Sequence, residues 1–191
     1  MDINWIPPEP RTGLARQWDT LIGPGATPAE NALILAGGLV FTGVFLFLAG
    51  RAAPGWTPLQ WIVLALLALD LSAGAVANAT AAAKRWYHRA GQGFAHHFGF
   101  VAVHGAYVFL VAWLFRGMDW VYFGMVFGLL LAATLAVLRA PHYLQRPIAM
   151  FAFCAAVLIN TFFPDALLSW FVPVLFLKLI VAHLVKEAPF R

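Results

Sequence analysis

The chain has 191 residues, 62% hydrophobic and 10% charged, with mean hydropathy +0.81 and formal net charge +4. Soluble domains carry roughly 25% charged residues, so this composition cannot cover a water-soluble globule and makes lipid bilayer the solvent for much of the chain. At about 20 apolar residues per span, the length accommodates six spans and leaves no room for a second domain.

Residues 1–26 read as an N-terminal segment and 27–187 as a transmembrane domain. The first residues lack a basic stretch followed by an apolar core, so no cleavable signal peptide is expected. After Pro7, Pro8 and Pro10, a short amphipathic helix places Leu14, Trp18, Leu21 and Ile22 on one face and Arg11, Arg16 and Asp19 on the other. Such a segment is expected to lie on the bilayer surface and to end at Gly23-Pro24-Gly25.

Two spans begin with the same signal. Thr27-Pro28-Ala29-Glu30 and Thr57-Pro58-Leu59-Gln60 each offer Thr as N-cap, Pro at the first helical position and Glu or Gln at N3, a capping box in which each side chain satisfies the other's backbone amide. Helices are predicted at about 28–50, 58–83, 94–115, 119–139, 147–163 and 166–186. From Ser72 to Ala83 the second is nearly all small residues, which permits close backbone approach and predicts a central position. Gly124-xxx-Gly128 gives the fourth a second small face, and such faces make a homo-oligomer the expected assembly. Pro173 is predicted to kink the sixth by removing a donor and freeing the Ser169 carbonyl.

Basic residues set the orientation. Arg11, Arg16, Lys84, Arg85, Arg89, Arg139, Arg146, Lys186 and Arg191 fall on one side, against Arg51 and Arg116 on the other. Positive residues mark the cytoplasmic side, so the expectation is an all-α polytopic bundle of six spans in a bacterial-type inner membrane, both termini cytoplasmic. This is a topology signal and not a nucleic-acid footprint. Cys154 is the single cysteine and lies within a predicted span, which excludes an intrachain disulfide.

Asp70 lies near the middle of the second helix, where an acid costs roughly 2.5–3.5 kcal/mol on insertion scales and so requires a partner. Treating helices two and three as a neighbouring hairpin matches the depth of Asp70 to His104 and of Asn78 to His97. All six histidines, His88, His96, His97, His104, His142 and His183, fall in the cytoplasmic half or its loops. Imidazole is the commonest metal ligand, so His88, His96, His97, His104 and His183 are the expected ligands of a transition metal or haem, with Asp70 orienting or deprotonating His104. Their spacing departs from the histidine boxes of membrane di-iron desaturases. Lys84 and Arg85, flanking an aromatic Trp86-Tyr87, are expected to meet anionic lipid headgroups, and Lys178 to snorkel toward the interface.

Three functions fit this pattern. The first is a ligand-, metal- or haem-binding membrane enzyme or redox protein with Asp70 and His104 as its catalytic pair. The second is a small proton-coupled transporter or channel. The third is a structural or accessory subunit whose polar pairs fix helix register.

Overall fold

The computed structural model describes residues 4–52 and 55–189; residues 1–3 and Arg191, used above, lie outside them. The described chain is all-helical, without strands. Five helices are long and apolar enough to cross a membrane, Pro28–Ala52, Pro58–Asn78, Phe94–Leu114, Trp120–Arg139 and His142–Asn160, and a shorter apolar helix follows at Phe171–Leu184. Together they mark an integral membrane protein, with an outer surface that leaves Leu33, Leu39, Phe47, Phe151 and Leu158 exposed for contact with lipid.

Helix α1 (Leu14–Ile22) ends at Gly23, where φ is 93°. A Cβ at Gly23 would stand 2.3 Å from the Ala82 carbonyl oxygen, so only glycine allows α1 to seat against the α4 region. Asp19 departs from the expected solvated face: it is 4% exposed, because the proline-rich segment folds back over α1. Arg11 donates to it from its backbone nitrogen at 2.8 Å and from Nη2 at 2.6 Å, and this guanidinium holds the Asp19 carboxyl below the usual carboxylate range.

Helices α2 (Pro28–Ala52) and α3 (Pro58–Asn78) start at the two capping boxes. Thr27 N donates to Glu30 Oε2 at 2.7 Å and Glu30 N to Thr27 Oγ1 at 3.1 Å. The small face of α3 packs against α2, where a Cβ on Gly38 would meet that of Ala73 at 2.9 Å. The second predicted helix does not run on to residue 83. It stops at Asn78, and Thr80 caps a separate α4 (Ala81–Tyr87), its hydroxyl accepting from Ala83 N at 3.2 Å.

The third span is α5 (Phe94–Val103) and α6 (Gly105–Leu114), divided at His104. Helix α7 (Trp120–Arg139) is capped by Asp119, which accepts from Tyr122 N at 2.9 Å. Gly124 and Gly128 have nothing within 4 Å of a built Cβ, so this pair faces outward and makes no close contact within the described chain. Helix α8 (His142–Asn160) starts ahead of Pro147, which sits inside it.

The last segment is shorter than predicted: α9 (Phe171–Phe176) continues into a π-helix at Leu177–Leu184. Pro173 lies in its first turn, where backbone donors have no intrahelical partner in any case. The Ser169 carbonyl that it frees accepts instead from Asn160 Nδ2 at 2.9 Å. This segment, and not α3, forms the axis of the bundle. Phe171, Val172, Leu175, Phe176, Leu179 and Ile180 are at most 1% exposed, and α3, α7 and α8 pack around it.

The basic stretches converge at one end. Arg146 pairs with Glu187 at 3.5 Å, His142 Nε2 donates to the Lys186 carbonyl at 2.7 Å, and the Lys186 ammonium lies 4.8 Å from the Trp5 ring centroid. The two ends of the described chain therefore meet, with Arg51 and Arg116 outside this cluster.

Candidate functional site

Two polar layers lie along the axial helix. The inner one lines a cavity of about 690 Å³ bounded by α1, α3, α5, α6 and the π-helix. Its walls are mainly apolar, with Val63, Leu66, Leu67 and Leu110 among them. Its polar groups are Asp70, Asn78, Tyr87, His104, Tyr107 and Lys178. Trp18, Leu21 and Ile22 of α1 line one part of it. Among its walls, Leu66 and Leu69 of α3 and Leu21 of α1 also reach the outer surface, at 61%, 38% and 64% exposed.

Asp70 does not pair with His104. The Nζ of Lys178 donates to Asp70 Oδ2, because the axial helix packs along α3 at this depth; the second and third spans meet farther along, where Gln60 Nε2 donates to the Leu114 carbonyl at 2.6 Å. Asn78 likewise misses His97 and donates to the Lys178 carbonyl at 3.3 Å, one of the acceptors a π-helix leaves out of α-helical register. Lys178 does not snorkel: its side chain is 5% exposed, against 45% for Asp70. Both groups line the cavity, the carboxylate the more exposed of the two. The sequence did hold a signal for this pair, namely one acid and one base in the interior of two spans, each about two turns before its helix end.

His104 turns its ring onto its own helix, Nδ1 donating to the Phe100 carbonyl at 2.7 Å. The His104 amide bonds Val101 instead, so the imidazole replaces the missing ladder donor at the α5–α6 break. That bond fixes the proton on Nδ1 and leaves Nε2 as the basic nitrogen. His104, Asp70, Asn78 and Lys178 thus share one cavity.

The outer layer gathers His88, His97 and His183. His97 Nδ1 and His183 Nε2 share a proton at 3.1 Å, His88 stacks on His97 with centroids 4.7 Å apart, and Phe100 stacks on His183 at 4.1 Å. His88 Nε2 donates to the His183 carbonyl at 3.0 Å. Among the described residues, no three His, Cys, Asp or Glu side chains form a group that could hold a metal ion, and the buried Nδ1 of His183 has no hydrogen-bond partner. His96 is exposed and accepts weakly from Gly93 N at 3.5 Å.

Lys84 and Arg85, expected among headgroups, are 3% and 4% exposed. Lys84 reaches the end of the axial helix, donating to the Ala182 carbonyl and, at 2.7 Å, to the Val185 carbonyl. Cations suit helix C-termini, whose last carbonyls lack partners. Burial lowers the Lys84 ammonium to about 8 and the His88 imidazole to about 3, and raises the Tyr87 phenol to about 12.

No family model matches this chain, and no curated protein or solved structure matches it.

Proposed function

We propose that this protein crosses the membrane six times, with both termini cytoplasmic, and binds an amphiphilic, lipid-class molecule taken from the bilayer past the exposed Leu66 and Leu69 of α3. The ligand's apolar body lies along Val63, Leu66, Leu67 and Leu110. Its polar end meets Asp70, Lys178, His104 and Tyr107, which act on it chemically or orient it.

One observation carries this reading: the Asp70 side chain of the Asp70–Lys178 pair is 45% exposed and lines an apolar cavity. A pair that only fixed helix register would be sealed on both sides, since burying ions is costly unless their remaining hydrogen-bonding capacity is met. Here the exposed carboxylate borders a space of about 690 Å³, within the roughly 300–1,000 Å³ typical of small-molecule sites. The six-crossing orientation draws on the nine-to-two distribution of basic residues and on the contact between Trp5 and Lys186.

The test is photocrosslinking in native membranes with a diazirine-tailed lipid mixture, followed by peptide mapping. Labelling concentrated on the cavity walls is expected. It should fall sharply in Leu66→Trp, which fills the opening, and persist in Leu39→Trp, on the outer surface of α2. Labelling spread evenly over lipid-facing residues would overturn the proposal.

A further inference from the structure

From this lipid-binding reading, we infer that Lys178 is a covalent attachment site for a long-chain apolar aldehyde, which it holds as a protonated imine with Asp70 as counter-ion. Three features bear on this. Lys178 is the one lysine among the described residues whose side chain lines the cavity. Lysines removed from water are the ones used for Schiff-base chemistry, and intramembrane carboxylates serve as counter-ions to bound cationic ligands.

The second feature is the space made for this side chain. A Cβ at Gly74 would stand 2.5 Å from Lys178 Cε and 3.0 Å from Nζ. The glycine thus leaves a channel in α3 through which the lysine stem reaches Asp70, one turn away on the same helix. The third is the π-helix at Leu177–Leu184. Such segments are rare and recur at functional sites, and this one begins at the residue before Lys178.

The reaction balances with groups already present. The Lys178 ammonium gives a proton to Asp70, and the freed amine attacks the aldehyde carbon. The carbonyl electrons pass to oxygen, which takes a proton from the nitrogen to give a carbinolamine. The Asp70 carboxyl then protonates the hydroxyl, water leaves, and the C=N bond forms as a cation beside the regenerated carboxylate. Nothing is oxidised or reduced, and water is the sole by-product. Apolar walls favour the product by keeping bulk water from the imine, while the opening at Leu66 and Leu69 admits an aldehyde dissolved in the bilayer.

The experiment uses the full chain purified in mild detergent and all-trans-retinal as probe, because its absorption shifts to longer wavelength when it forms a protonated imine. Borohydride then fixes the adduct for mass spectrometry. The expected result is one retinyl group per chain, mapped to Lys178, with the red-shifted band. Asp70→Asn should slow imine formation by about 100-fold, as expected for loss of a positioned acid–base group. Lys186→Arg, in the exposed tail, should leave it unchanged. Mapping on the unsubstituted protein assigns the site even if Lys178→Arg fails to fold. Adducts spread over several lysines, or none at Lys178, would overturn this inference. If the diazirine lipids still label the cavity in that case, lipid binding stands and covalent attachment falls. If neither reagent marks the cavity, both fall.

Discussion

Removing a buried hydrogen-bonding partner costs the desolvation of whatever it leaves unpaired, about 1–3 kcal/mol. Lys84 serves two carbonyls at the end of the axial helix, so Lys84→Met should destabilise the protein by roughly that amount, read from thermal unfolding in detergent by tryptophan fluorescence. An unchanged midpoint would mean that those carbonyls find other donors. His88 gives a pH dependence. Burial holds its pKa near 3, below the ordinary 6.5, so the unfolded chain takes up the proton first as pH falls. Its contribution to stability is complete above about pH 6.5 and is lost progressively on acidification toward pH 3. His88→Gln, whose amide can still donate to the His183 carbonyl, should flatten unfolding curves in that window; coincident curves would assign acid lability elsewhere. At this scale the sequence reading found the members of the site more readily than their partners. Asp70, Asn78 and His104 do share a cavity, but depth-matching along a hairpin could not reveal that a later helix supplies the partner of both Asp70 and Asn78. Nor could it show that Lys84 would turn inward to a helix end formed almost a hundred residues later.

Helix starts were the most legible features, because capping is local chemistry: both Thr-Pro boxes stand where their four residues imply. Interruptions were less so. Thr80 carries a cap signal of its own, hidden within a run of small residues that also suits a continuous helix, and His104 breaks the third span through a side-chain-to-backbone bond that no periodicity records. The docking of α1 is testable at this level. Trp86 Nε1 donates to the Thr20 carbonyl at 3.1 Å and the Tyr87 hydroxyl to the Leu21 carbonyl at 2.8 Å, completing the C-terminal end of α1. Gly23 holds a conformation that costs a residue with a Cβ about 1–3 kcal/mol, beyond its clash with Ala82. Gly23→Ala should therefore release α1 and speed tryptic cleavage after Arg16 by on the order of tenfold, about 1.4 kcal/mol, a value within that range. The bundle itself should survive, as judged by an unchanged helical circular dichroism signal. Equal cleavage rates would show that α1 is held chiefly by the Arg11–Asp19 strap.

For the molecule as a whole, the proposed placement of both termini on the cytoplasmic side, drawn from the charge pattern, can be tested directly. Cysteines introduced at Arg51 and Arg116 in a Cys154→Ser background should react with an impermeant thiol reagent applied to intact cells, whereas one at Arg89 should react only after lysis. The reverse pattern would invert the molecule. The order of packing was not legible in composition, because small residues mark close approach without saying which helix is approached from all sides. That position belongs to Phe171–Leu184, which follows the five long apolar helices in the chain. Its Lys178 therefore reaches Asp70 from a part of the chain made after those five helices. Seating of the axial helix and neutralisation of the Asp70 carboxylate are therefore one step of assembly, and a chain ending before Lys178 would keep that acid without its cation.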